Sequence, residues 1–277
     1  MSIIKVIRYF LILSILFLIS CLVVLQFSLF SEDLGPGEIT GSVNTPEFIA
    51  DKKNRQLAAF NSLNENSTKQ ILFGDLHVHS TFSADAQMMS LPITGGNGVH
   101  PVADACDFAR HCSALDFWSI NDHAEASTPK RWQETKETIR KCNALNLDPA
   151  NPDCVAFLGW EWTQVGVIRA NHWGHHNVIL KEEDDDLVPP RAIASLSITR
   201  QAMTTRPLLP QTLFPFVDFA NFKRYNDSYR YAKETVKVPD CDLRTPSIEL
   251  PIDCHERAVT PLGLVNRMEM YPSDYMI

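Results

Sequence analysis

The chain has 277 residues, 45% apolar and 21% charged, with 11 Gly and 17 Pro. That mixture excludes a fully disordered, collagen-like or coiled-coil protein. The formal charge is −8, from 33 acidic against 25 basic residues, and no Lys/Arg cluster stands out, which argues against a nucleic-acid partner.

Lys5 and Arg8 precede an uncharged run from Tyr9 to Phe30, rich in Leu, Ile, Val and Phe. At 1.5 Å per residue the run reaches about 33 Å, enough to cross a hydrocarbon core of roughly 30 Å. It is longer than the apolar region of a cleavable signal peptide and shows no small-residue cleavage site. Residues 1–30 therefore read as a signal anchor. A cleaved signal, and a lipoprotein signal at Leu18-Ile19-Ser20-Cys21, are the alternatives. The basic N-terminal flank puts the body of the protein outside the cytoplasm, periplasmic or extracellular, with the lipid bilayer as a partner. Residues 31–69, with Gly35-Pro36-Gly37 and Pro46, read as a stalk or linker carrying a short polar helix-like patch near Gln56–Phe60.

Residues 70–277 read as one domain. Ile71–Val78 predicts a strand; Val102, Cys106, Ala109 and Cys112 recur at helical spacing; Leu115–Ile120 predicts a second strand. Pro129–Cys142 predicts a helix with Pro in its first turn, and Val155–Trp160 and Asn177–Leu180 predict two further strands. This alternation is that of a parallel α/β architecture. The acidic run from Lys181 to Asp186 reads as a solvated loop, and ten of the 17 prolines, between 189 and 272, make the last third loop-rich. Of the six cysteines beyond Cys21, Cys106 and Cys112 lie about 9 Å apart along a helix, too far for a disulfide. Cys142 with Cys154, and Cys241 with Cys254, can pair across loops; the alternative is six reduced, buried thiols.

Eight of the nine histidines fall between positions 77 and 176, at the ends of apolar runs. His77 and His79 stand two apart in a strand and can present both imidazoles to one metal, and Ser80, Ser83 and Asp85 follow at close spacing. Asn121-Asp122-His123-Ala124-Glu125 follows the second strand; taken alone it is equally a polar turn whose Asp caps the next helix. Glu161 sits between Trp160 and Trp162, where a carboxylate is costly to bury unless paired or metal-bound; otherwise it faces water. His172, His175 and His176 precede the fourth strand. If that strand returns antiparallel to the third, all four groups meet at the C-terminal ends of the parallel strands, where α/β proteins place their sites.

The series Asp-Leu-His-Val-His-Ser with Ser83 and Asp85, then Asn121-Asp122-His123, then Gly159-Trp160-Glu161-Trp162-Thr163, then Gly174-His175 before an apolar strand resembles the PHP (polymerase and histidinol phosphatase) superfamily. It is most similar to the branch called domain of unknown function 3604. The resemblance implies an α/β fold with a distorted (β/α)7 barrel, divalent metal ions (Zn, Mn or Fe), and hydrolysis of a small phosphorylated substrate by a metal-bridging hydroxide. It implies His77, His79, Asp85, His123, Glu161 and His175 as metal ligands, with His172 and His176 competing for the place of His175. It further implies that Glu161 bridges two metals, that Asp122 is an outer or catalytic partner beside His123, and that Asp75 orients an imidazole, with Asp122 and Glu161 as the catalytic residues. The superfamily normally supplies a later histidine and then an Asp-x-His pair; after His176 His255 is the one remaining histidine, so the barrel and its ligand set are expected to be incomplete. Asp274–Ile277 then reads as the start of a strand that is cut off. The rival functions are a metal-dependent amide or ester hydrolase and a membrane-tethered metal-binding module without turnover.

Overall fold

A computed structural model describes residues 3–27, 29, 34–62, 71–195, 214 and 217–277. Parts of the expected stalk (31–33 and 63–69) and of the proline-rich third (196–213, 215 and 216) lie outside them.

Five strands, β1 (Gly74–Val78), β2 (Phe117–Ile120), β3 (Val155–Gln164), β4 (Gly174–Leu180) and β5 (Tyr275–Met276), form one sheet in chain order. The first three are parallel, because helices fill the crossovers between them; β4 returns antiparallel to β3 through a hairpin, and β5 pairs antiparallel with β4. The sheet formed by the described residues is open, with β1 and β5 at its edges, so the closed barrel implied by the resemblance is not formed among them.

The first crossover carries α3 (Ala84–Met89) and α4 (Val102–Asp107), and the second carries α5 (Pro129–Asn143). α5 starts where Thr128 accepts a hydrogen bond from the Arg131 N–H and Pro129 occupies the first turn, and it ends with Arg140 and Lys141 against its negative pole. α4 continues through Phe108–Cys112 as a π-turn. The wider turn shifts the side-chain phase, so Val102, Cys106 and Ala109 stay buried while Cys112, expected on the same face, is exposed. The same turn buries Arg110, whose guanidinium meets Asp153 at 3.1 Å.

The core lies between the sheet and these helices. β3 alternates as a half-buried strand should: Ala156, Leu158, Trp160 and Trp162 enter the core with Trp118, Ile120, Val178, Leu180 and Ile139. The intervening Phe157, Gly159, Glu161 and Thr163 belong to the other face. Three of the four core indoles find a carbonyl outside the sheet: Trp132 donates to Pro189, Trp160 to Ile193 and Trp162 to Ala258. These bonds fasten the irregular chain after β4 over the core. The acidic run after β4 is pinned rather than free, since Asp185 meets Lys136 and Arg140 of α5. Beyond it, α6 (Phe222–Lys237) packs through Tyr231, which donates to the Phe82 carbonyl, and α7 (Pro261–Met268) adds Leu264 and Met268 to the core.

Cys106 is bonded to Cys142, joining α4 to α5 with Cα atoms 6.0 Å apart, and Cys241 to Cys254 with Cα atoms 5.0 Å apart. The second pair is as expected; the first corrects the pairing of Cys142 with Cys154. Cys142 faces the core opposite α4, whereas Cys154 stays a buried free thiol. Asn146 fixes the α5–β3 loop instead, accepting from the Cys154 N–H and donating to its carbonyl.

α1 (Ile3–Gln26) is long and apolar enough to cross a membrane and is not buried against the domain, so by length and composition it suits an anchor or a signal sequence. α2 (Pro46–Asn61), within the segment read as a stalk, is docked on the domain. Lys52 pairs with Asp116 and donates to the Leu115 and Asp153 carbonyls, and Gln56 also donates to Asp116.

Candidate metal centre

The strand ends bring the expected ligands together. His77 lies in β1 and His79 just beyond it, on the same side by the two-residue period of a strand. The chain leaving β2 runs alongside β3: the Glu161 N–H donates to the Asp122 carbonyl, and His123 bridges to Glu161 in parallel fashion. Across the β3–β4 hairpin Thr163 faces His175, and Glu161 faces Asn177.

Glu161 is the centre of the cluster. Its side chain is 2% exposed, and imidazoles approach it from two sides. His77 Nε2 and His79 Nε2 each lie 3.1 Å from Oε2. His175 Nδ1 contacts Oε1, and His123 Nδ1 lies 3.7 Å from it. Asp85 closes the group from the far side, 3.5 Å from His79 Nδ1 and 3.4 Å from His123 Nε2. Successive rings are 4.9, 5.1 and 5.8 Å apart along the row His77, His79, His123, His175. The side chains of His77, His175 and Asp85 are each 54% exposed, so the cluster is rooted in the protein and open to solvent at its rim.

Three sets in this cluster could each hold a metal ion, with ligand atoms within 4.8 Å of one another: His77, His79 and Glu161; His79, Asp85 and His123; His123, Glu161 and His175. All six residues expected as ligands are in these sets. His172 and His176 are not: His172 lies against the Gly166 carbonyl, and His176 against the Trp173 carbonyl and the Trp162 ring.

The electrostatics follow from the crowding of imidazoles and carboxylates. Burial opposes charge on Glu161 and Asp85, but the adjoining imidazoles outweigh it and hold both carboxyls well below their usual range. Burial likewise opposes charge on His79, and bonds to Asp85 and Glu161 reverse the balance and raise it to about 10. His123 is raised for the same reason. Protons therefore occupy positions that a cation would take.

Asp122 stands beside the ligands, where an outer partner of the cluster would. It accepts from the Ser80 N–H at 2.6 Å and the Ser80 hydroxyl at 2.7 Å, fastening the turn after His79 to the end of β2. Burial pushes its carboxyl up to about 6 against those two bonds. Asp75 does not orient an imidazole; its carboxylate accepts from the His77 main-chain N–H at 2.9 Å.

Glu125, Ser83 and Thr163 stand in the sequence motifs, but nothing in the sequence gives them a role. Glu125, fully buried, accepts from the main-chain N–H groups of Thr163 and Ser195, and burial raises its pKa. Ser83 and Thr163 are buried hydroxyls touching both imidazoles and carboxylates. Their spacing from Asp85 and Glu161, two residues in each case, was the available signal. Asp253-Cys254-His255 has the Asp-x-His spacing of the superfamily's late pair, but Cys254 is in a disulfide, His255 Nε2 lies 3.0 Å from the Ala124 carbonyl, and neither Asp253 nor His255 belongs to the three candidate sets.

Comparison of the chain with models of protein families, with curated proteins and with solved structures returned no match. The functional reading thus stands on the residues themselves.

Proposed function

We propose that this chain is a divalent-metal-dependent hydrolase acting on a small phosphate ester, its domain tethered outside the cytoplasm by α1. The observation that carries the proposal is Glu161, a buried carboxylate with imidazoles at both oxygens. Burying a carboxylate is costly unless a charge or hydrogen bonds compensate it, and a ring of imidazoles around it is a donor set suited to Zn, Mn or Fe. His77, His79, Asp85, His123, Glu161 and His175 would hold such ions. When bound they would supply Lewis-acid polarisation of a phosphoryl oxygen and an acidified water.

The chain's own groups divide the remaining work. Glu161, His79 and His123 are held by the body of the domain and fix where the charge sits. His77 and His175 complete the ligand set at the solvent-facing rim, where water can bring the proton that a leaving oxygen needs. Asp122 acts through Ser80 on the turn that carries His79. The order of the motifs, similar to that of PHP proteins, favours phosphate esters over amides. The net charge of −8 is compatible with an anionic substrate, because site cations are the largest local charges. The apolar α1 and the two disulfides support an exported, tethered domain.

The test is a screen of phosphomonoesters and phosphodiesters, beside amides, lactones and carboxylic esters, with the full-length protein loaded in turn with Zn, Mn and Fe. Turnover of a phosphate ester that chelator abolishes and Glu161→Gln lacks is the expected result. Metal uptake without turnover of any compound would replace the hydrolase by a metal-binding module, and amide or lactone turnover alone would change the substrate class.

A further inference from the structure

His79 and His123 each stand between the same two carboxylates and turn opposite nitrogens to them. For His79, Nδ1 is 3.5 Å from Asp85 and Nε2 is 3.1 Å from Glu161. For His123, Nε2 is 3.4 Å from Asp85 and Nδ1 is 3.7 Å from Glu161. Either nitrogen of either ring could therefore serve as a ligand, and something must choose between them.

Two buried hydroxyls make that choice. A hydroxyl has one hydrogen to donate and two lone pairs to accept with. Ser83 Oγ lies 2.5 Å from Asp85 Oδ1, an ionised acceptor, so its hydrogen goes there. Its lone pairs then accept from the His123 main-chain N–H at 3.1 Å and from His79 Nδ1 at 2.9 Å, which must carry a proton. Thr163 Oγ1 repeats the arrangement on the other side. It donates to Glu161 Oε1 at 2.9 Å and accepts from His123 Nδ1 at 2.8 Å, with His175 Nδ1 further off at 3.2 Å.

We propose that Ser83 and Thr163 are positioning residues that hold His79 and His123 as Nδ1–H tautomers, so that His79 ligates through Nε2 beside His77 and Glu161, and His123 ligates through Nε2 beside Asp85. The consequence is an ordered pair of half-sites rather than a cluster with interchangeable nitrogens. It assigns His123 to the Asp85 side, away from the Glu161 oxygen that its Nδ1 faces. This inference rests on the metal-centre reading above and adds which atoms ligate and what selects them. Outer partners of this kind fix the tautomer and orientation of a ligating imidazole.

The experiment has two arms on the full chain. Long-range proton–nitrogen correlation spectra of the Zn-loaded protein, with ring nitrogens labelled, should show His79 and His123 protonated at Nδ1 and metal-shifted at Nε2. Co(II) titrations followed by visible absorption should show affinity about 10–100-fold lower in Ser83→Ala and Thr163→Val, with Thr163→Ser near wild type because it restores the hydroxyl. A metal-shifted Nδ1 on either ring, or Co(II) affinities of both variants equal to wild type, overturns the inference while leaving the metal centre standing. A wild-type protein that takes up neither ion removes the metal centre itself, and this inference with it. Should Ser83→Ala fail to fold, the wild-type spectrum decides alone.

Discussion

Raising the pH should tighten metal binding steeply, because protons and cations compete for the same nitrogens. His79 is raised from 6.5 to about 10 by Asp85 and Glu161, after burial has worked against its charge. At pH 7 only about one molecule in a thousand then has a neutral His79, a handicap to the cation of about 4 kcal/mol at 1.36 kcal/mol per pKa unit. Between pH 6.5 and 10 the apparent affinity should rise about tenfold per unit for that one proton, and more steeply where His123 also gives one up. Competition titrations against a chromophoric chelator at several pH values, with proton release followed by indicator in weak buffer, measure both quantities. At least one proton should leave per cation near pH 7. A flat affinity across this range with no proton release would show that the carboxylates do not hold His79 charged, and the reasoning would fail. The sign for stability is the same: a raised imidazole contributes fully below its unfolded value of 6.5 and loses that contribution as pH rises through about 10. The metal-free protein should accordingly weaken toward alkaline pH, and the metal-loaded protein should weaken less.

Asp122 carries the same sign into a lower interval, since its folded value of about 6 lies above the ordinary 3.8. The folded state binds the extra proton, so stability falls as pH rises from about 4 to about 6, by about 3 kcal/mol. Urea unfolding of Asp122→Asn across that interval should lack this slope. Replacing Cys106 and Cys142 together with Ala opens a cross-link between residues 36 apart, worth about 4 kcal/mol of chain entropy. That should appear as a lower urea midpoint, and a non-reducing peptide map yielding Cys142 bonded to Cys154 would contradict the structure outright. Glu161→Gln keeps the shape of the side chain but removes the charge that two imidazole pairs share. Co(II) affinity should fall by at least the 10–100-fold typical of losing an outer partner, and unfolding curves should show less alkaline weakening of the metal-free protein.

How far the site could be read from the chain depends on the range of each signal. The strand period of two put His77 and His79 on one side, and the apolar pattern around Glu161 raised the problem of a buried carboxylate; both are local, and the structure brings those residues together. The antiparallel return of β4 was conditional in the sequence and decisive in space, because it alone sets His175 opposite Thr163. What could not be read required knowing which elements touch. Cys106 meets Cys142 because α4 packs on α5, and nothing in the spacing of cysteines along the chain distinguishes that from a loop-closing pair. Lys52 and Gln56 dock α2 through groups on Asp116, Leu115 and Asp153, contacts spanning 60 residues or more that a polar helix pattern does not announce.

The hydroxyls were hidden for another reason. Ser and Thr are common enough that a single one carries almost no signal, whereas a histidine cluster is rare and conspicuous. Yet four imidazoles around two carboxylates do not by themselves define a metal site, since each ring has two nitrogens and each nitrogen finds an acid within 4 Å on its own side for both His79 and His123. The conspicuous residues supply affinity and leave the ligating atoms undecided. Ser83 and Thr163 reduce those alternatives to one by giving the Nδ1 protons a buried acceptor that a cation has no means to displace. Specificity at this centre therefore resides in side chains whose role composition and motif spacing do not show.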